Sequence, residues 1–255
     1  LTIDVWRVGA PNIDLNCPDI YLPNFAEWCS RFHRADNPLF VPESRGDADG
    51  VSNAFFAIGA HQAIGYSPFG IDNVGRLVTL RPDTGTAAPS AFEDLPLPRG
   101  YALLQQMSPV ILECQAKGAI AAVQLNPERP TEDVAPGNYT VNIDLRRNRR
   151  NPAQVPATGY ALVLNVGPDE YFVAGADVQV IFFPRPASDE IVGFAQAELG
   201  EFVNGTWKPG RRMNGDDILL RYDIAEAAAK NQSGSGLRFT GTIPTVQHVK
   251  LYRYR

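Results

Sequence analysis

Cysteine is scarce in this sequence. The three present, Cys17, Cys29 and Cys114, have no metal-ligand spacing, and an odd count is no disulfide framework. Histidine is equally sparse. His33 and His61 fall on expected helices and His248 on a late expected strand, so no pair has the spacing of a metal site or a catalytic triad. No apolar run approaches the ~20 residues of a membrane-spanning helix. Positive charge is also in deficit, with 23 Lys and Arg against 28 Asp and Glu, a net charge of −5. That balance argues against a general binder of nucleic acid or anionic membrane. The one basic cluster, Arg146-Arg147-Asn148-Arg149-Arg150, reads as a solvated hairpin tip. Gly65-Tyr66-Ser67-Pro68 lacks the second glycine of a serine-hydrolase elbow. Three sequons, at Asn138, Asn204 and Asn231, do not fix a compartment. Among compartments, a secreted or periplasmic setting is preferred to a cytoplasmic one.

What is present is a rhythm. Asn37-Pro-Leu-Phe-Val-Pro-Glu-Ser-Arg-Gly46 holds a short apolar run, Leu39 to Val41, that fits a strand buried on both faces of a parallel sheet. Alternation along it places Leu39, Val41 and Glu43 on one side, and Pro42, which cannot donate to a ladder, is expected to end it. Glu43 is then a carboxylate at the C-terminal end of a core strand, where barrel enzymes carry their catalytic groups. The competing reading is an acid in an exposed loop. A strand is expected over 16–23, with Cys17, Asp19 and Tyr21 on one face, and another over 64–72. Between the three strands lie helices: one from Asn24 to about Ala35, with Phe25, Trp28, Cys29 and Phe32 as its apolar stripe, and one over 52–63. A short helix over 5–10 precedes them. Strand–helix–strand order implies a parallel sheet with crossovers.

The rhythm then breaks. Residues 73–98 are proline-rich and read as a loop over the functional end of the sheet. A helix follows over 99–117, which Pro109 should kink or split and Gly118 should stop. From Ala119 the texture is β-rich, with runs at 120–125, 138–145, 160–166, 170–174, 177–183, 191–199, 201–203 and 246–254 separated by turn signals such as Pro136-Gly137 and Pro209-Gly210. An antiparallel sandwich is expected, with one or two helical turns over 224–230. The expected architecture is therefore α/β over residues 1–117 and a β-sandwich over 118–255.

Four blocks carry a resemblance: V-W-R-V-G-A-P-N-I-D, C-P-D-I-Y-L-P, N-P-L-F-V-P-E-S-R-G and A-I-G-Y-S-P-F-G-I-D. They look like the late part of the (β/α)₈ TIM barrel in glycoside hydrolase family 35, in its bacterial-type β-galactosidases with a β-rich C-terminal domain. The resemblance runs from Leu1 to about Lys117, and more loosely through the sandwich. It implies barrel strands six to eight, Glu43 as the nucleophile of a retaining reaction, and Tyr21 as the tyrosine that orients it. The acid/base glutamate of the family sits on the fourth strand, in an Asn-Glu pair that this sequence does not contain. The resemblance thus implies either a chain completed by the N-terminal part of the same enzyme as a second polypeptide, or a sequence that is only part of that enzyme. It also implies release of terminal non-reducing β-D-galactose through a glycosyl-enzyme intermediate, with no cofactor and no metal.

Around that core, Tyr66 and Phe69 are candidates to stack on a sugar, or equally to line a barrel core. Asp19 could hydrogen-bond a sugar hydroxyl or cap a turn, and Asp72 is open between the same roles. Arg45 is expected to pair with Asp47 or Asp49. Trp207 could contact carbohydrate on the sandwich or pack inward. The alternative to an enzyme is a non-catalytic carbohydrate-binding or scaffold module whose working surface is the sandwich.

Overall fold

The computed structural model describes residues 3–73, 95–146, 155–188, 190–220 and 235–255. Its N-terminal part alternates helix and strand. Helix α1 (Ile3–Gly9) precedes β1 (Asp19–Ile20), α2 (Phe25–Phe32), β2 (Phe40–Ser44), α3 (Ala48–His61) and β3 (Gly65–Pro68), with a 3₁₀ turn at Ile71–Asn73. The three strands form one parallel sheet in the order β1-β2-β3. Helix α4 (Pro96–Ala116) leads into eleven antiparallel strands. These are β4 (Ile120–Leu125), β5 (Thr131–Val134), β6 (Tyr139–Leu145), β7 (Gly159–Gly167), β8 (Glu170–Ala176), β9 (Val178–Pro184), β10 (Ile191–Val203), β11 (Thr206–Arg212), β12 (Leu219–Leu220), β13 (Ser235–Arg238) and β14 (Thr245–Tyr254). They make a six-stranded sheet, β11-β10-β14-β8-β7-β4, and a five-stranded sheet, β12-β13-β9-β6-β5. The chain is thus α/β at its start and antiparallel β thereafter.

Two apolar cores hold these layers. One lies between the two antiparallel sheets and is built from alternate residues: Val141 and Ile143 of β6, Ala161 and Val163 of β7, Tyr171 and Val173 of β8, Val180 and Phe182 of β9. The other lies between the six-stranded sheet and the parallel sheet, with α3 and α4 as its filling. Tyr160, Leu162 and Leu164 of β7 and Phe172, Ala174 and Ala176 of β8 face this second core. Strands β7 and β8 are therefore apolar on both faces, which explains their unbroken hydrophobic runs.

Helix α3 shows the same logic. It is buried along almost its whole length because sheets press on it from two sides. Asp47 caps its start by accepting the Asp49 amide at 3.2 Å, and Gln62 closes it in the left-handed region. A Cβ on Gly59 would fall 2.4 Å from Leu162 Cδ1 and 2.5 Å from Ala122 Cβ, so only glycine lets the helix lie this close to the sheet. Gln124 Nε2 crosses the same interface, donating to Ser52 Oγ and Asn53 Oδ1, each at 2.7 Å.

Several expectations are corrected. Pro42 does not end β2, which continues to Ser44. The ladder to β3 skips there instead: Val41 pairs with Tyr66 and Ser44 with Pro68, so two β2 residues oppose one. A bulge is where a strand can tolerate a missing N–H. The extra residue also breaks the expected face. Leu39 and Val41 are fully buried toward the helices, whereas Glu43 is only half-buried. Pro109 does not split α4, which continues through it to Ala116. The Gln105 carbonyl that its absent N–H would have bonded accepts from Ser108 Oγ at 2.8 Å instead. Gly118, at φ +63°, follows the helix end as expected. Residues 96–98 belong to α4 rather than to a loop. The rest of the expected loop, residues 74–94, lies outside the described residues, as do 147–150 of the basic cluster and the expected turns at 224–230. The 16–23 strand shrinks to Asp19–Ile20, and the runs at 191–199 and 201–203 are one strand with a bulge at Leu199/Gly200.

Candidate active site

The parallel sheet has a covered face and an open one. Ile20, Val41, Ser44, Tyr66 and Pro68 are buried toward the helices. Asp19, Tyr21, Ser67 and Phe69 are exposed and Glu43 half-buried on the other side. Parallel strands all end at the same edge. Tyr21 follows β1 directly, Glu43 is one residue from the end of β2, and Phe69 follows β3 directly. The C-terminal edge of the sheet thus presents a tyrosine, a carboxylate and a phenylalanine in strand order.

The register brings these groups together. Asp19 pairs with Glu43 and Ile20 with Ser44 across the β1–β2 ladder. Ser44 Oγ donates to the Ile20 carbonyl at 2.8 Å, a buried bond that pins β1 to β2 beside Glu43. On the other side, the Phe69 amide donates to the Ser44 carbonyl at 2.9 Å. Held this way, the Tyr21 hydroxyl donates a short hydrogen bond to Glu43 Oε1. Desolvation, the Glu43 hydrogen bond and the nearby Glu43 and Asp19 charges push the Tyr21 hydroxyl up to about 12. It therefore keeps its proton at any physiological pH and remains a donor to the carboxylate.

Tyr66 is not part of this face. It is 8% exposed and packs edge-on against Phe25 with ring centroids 6.0 Å apart. Burial pushes its hydroxyl up to about 12, against the lowering influence of Ser44 and Asn53. Its side chain belongs to the core under the sheet, because the β2 bulge and the β3 pleat put Ser67 and Phe69, not Tyr66, on the open side. Phe69, at 67% exposed, is the aromatic available there. Arg45 is drawn away from Glu43 by Asp47, whose Oδ2 it meets through Nε at 2.9 Å, with Asp49 3.9 Å away. Trp207 packs inward against Phe172 and Phe202, at 5.1 and 5.5 Å between centroids. That places it in the helix-facing core rather than on a sugar-binding surface.

Sequence spacing missed Ser44, whose role depends on the bulge. It also missed the meeting of His33 and His61. Their Nδ1 atoms are 3.0 Å apart. In a strand–helix–strand unit consecutive helices run parallel, so α2 and α3 end side by side, at the end of the sheet away from Glu43. Among the described residues no group of three or more His, Cys, Asp and Glu side chains is arranged to hold a metal ion, and no helix is long and apolar enough to cross a membrane.

The arrangement can do one kind of chemistry readily. A half-buried carboxylate, held by a phenol that stays protonated and flanked by an exposed aromatic ring, can attack an electrophilic carbon from a fixed direction. Residues 97–224 match the family described as Domain of unknown function (DUF5597). The match begins in α4, spans β4 to β12 and leaves β13, β14, Tyr21 and Glu43 outside it. No curated protein matches the chain.

Proposed function

The chain belongs to the DUF5597 family, and we propose that it carries the nucleophile half of a retaining glycoside hydrolase that releases terminal non-reducing β-D-galactose. In this reading β1, β2 and β3 are strands six, seven and eight of a (β/α)₈ barrel. Glu43 attacks the anomeric carbon and holds the sugar as an ester, which water then cleaves. Tyr21 orients Glu43, Asp19 hydrogen-bonds a hydroxyl of the sugar and Phe69 packs on its C–H face. The observation that carries the reading is the Tyr21–Glu43 hydrogen bond at the C-terminal edge of a parallel sheet.

The acid/base group comes from a second polypeptide, the N-terminal part of the same enzyme, docked on the open sheet. β1 and β3 are the outer strands of the sheet among the described residues, and Leu22, Phe69 and Ile71 beside them are 42–67% exposed. Edge strands and an apolar rim of this kind favour pairing with another chain. Retention requires the second carboxyl group about 5–5.5 Å from Glu43.

The test is Glu43→Ala in the completed enzyme. Hydrolysis of an activated aryl β-galactoside should fall by at least roughly 10⁴-fold with the fold intact. Azide should then restore turnover and yield an α-configured galactosyl azide, because it enters from the vacated side. Near-normal hydrolysis by folded Glu43→Ala would end the assignment. One observation favours the alternative, a carbohydrate-binding or scaffold module: the family match covers most of the sandwich strands and not Glu43. That reading requires full galactoside affinity in the isolated complex and no loss of it in Glu43→Ala.

A further inference from the structure

We propose that His33 and His61 form a binding site for a divalent transition-metal ion of tetragonal preference, Cu²⁺ foremost. The two rings meet edge to face with centroids 5.2 Å apart, and their Nδ1 atoms stand 3.0 Å apart with a single proton to share. A metal ion bonded to both nitrogens displaces that proton and sits off the line between them. Two metal–nitrogen bonds of about 2.0–2.1 Å spanning this separation enclose roughly 95°, well below the tetrahedral angle and close to the cis angle of a tetragonal ion. The span favours Cu²⁺ or Ni²⁺ over Zn²⁺, and Cu²⁺ leads the affinity order for nitrogen ligands.

The surroundings suit ligation. His61 is the last residue of α3, and its ring is braced by Phe56, edge-on at 5.3 Å. His61 is partly buried, so its ring is held in place beside His33. His33 caps the end of α2 and is exposed, which leaves the remaining coordination positions to water. The site joins the ends of the two helices that back β2, at the opposite end of the sheet from Glu43. It is independent of the proposed hydrolase.

The test is calorimetric titration of the purified chain with CuCl₂, read alongside its copper electron paramagnetic resonance spectrum. One ion per chain is expected, with an axial spectrum showing coupling to two nitrogens. Both His33→Ala and His61→Ala should weaken binding at least ten-fold, and NiCl₂ should bind in the same place more weakly. His33 is exposed, so His33→Ala keeps its fold and isolates the ligand effect. Copper binding unchanged in His33→Ala, or a spectrum with no two-nitrogen coupling, would overturn the proposal.

Discussion

The two halves of this molecule solve the burial problem differently. The sandwich closes on itself: each antiparallel sheet covers the other, and the helices cover the outer side of β7 and β8. Among the described residues the parallel sheet is covered on one side only, and its open side bears Asp19, Tyr21, Glu43 and Phe69. The self-contained half is built of apolar alternation, and the half with an open face presents a tyrosine, a carboxylate and an exposed aromatic ring. The helices α3 and α4 are shared between them, so the halves stand or fall together.

That shared layer gives the largest expected effects on stability. Phe55 is fully buried in α3 and meets Tyr160 of β7 at 5.0 Å between centroids. Phe55→Ala should cost about 3–5 kcal/mol and lower the unfolding midpoint of both halves in one transition, followed by far- and near-ultraviolet circular dichroism during denaturant unfolding. Two separated transitions, with the sandwich unmoved, would break the comparison. A smaller loss should follow Gln124→Leu, which leaves Ser52 and Asn53 buried without that partner. It should cost about 1–3 kcal/mol by the same measurement.

A pH effect sharpens the contrast further, because it belongs to the parallel half alone. His61 has its pKa lowered from 6.5 to about 4 by burial, then by His33. The unfolded chain therefore takes up a proton where the folded chain does not. The stabilisation is complete above pH 6.5 and is lost as the pH falls from 6.5 toward 4. His61→Gln should flatten the stability profile over that window relative to the unsubstituted chain. Parallel profiles would show that the histidine pair is not coupled to folding.

The same division decided what could be read from sequence. Strand–helix–strand order and the apolar runs of β6, β7, β8 and β9 were legible because burial imposes alternation or continuous hydrophobicity on them. β5, β11 and β12 were not, because they are sheet edges: Thr206–Arg212 is almost wholly exposed, and its Pro209-Gly210 reads as a turn. At the site, the place of Glu43 near a strand end was legible, and Tyr21 was singled out through the family resemblance. The side that Glu43 faces was not legible, because the bulge at Pro42 and Glu43 shifts the pleat by one residue. Of the two roles open to Tyr66, the structure gives it the core one. The His33–His61 contact depends on how two helices end together, which no local pattern records.

The smallest expected effect on the fold falls on the hydrogen bond between the halves of the site. Tyr21→Phe removes one donor from an exposed surface, so stability should hardly change, while turnover of the completed enzyme should fall roughly 10–100-fold. An equal loss in binding alone, with turnover intact, would make Tyr21 a sugar contact rather than a positioning group.

The central claim is that Glu43 becomes covalently bonded to the sugar. The most direct measurement incubates the completed enzyme with an activated 2-deoxy-2-fluoro-β-galactoside, which slows release of the ester more than its formation, and sequences the labelled peptide by mass spectrometry. The account predicts one added fluorogalactosyl group, on Glu43 in the Phe40–Ser44 strand. A label on any other carboxylate, or inactivation with Glu43 unmodified, would contradict it.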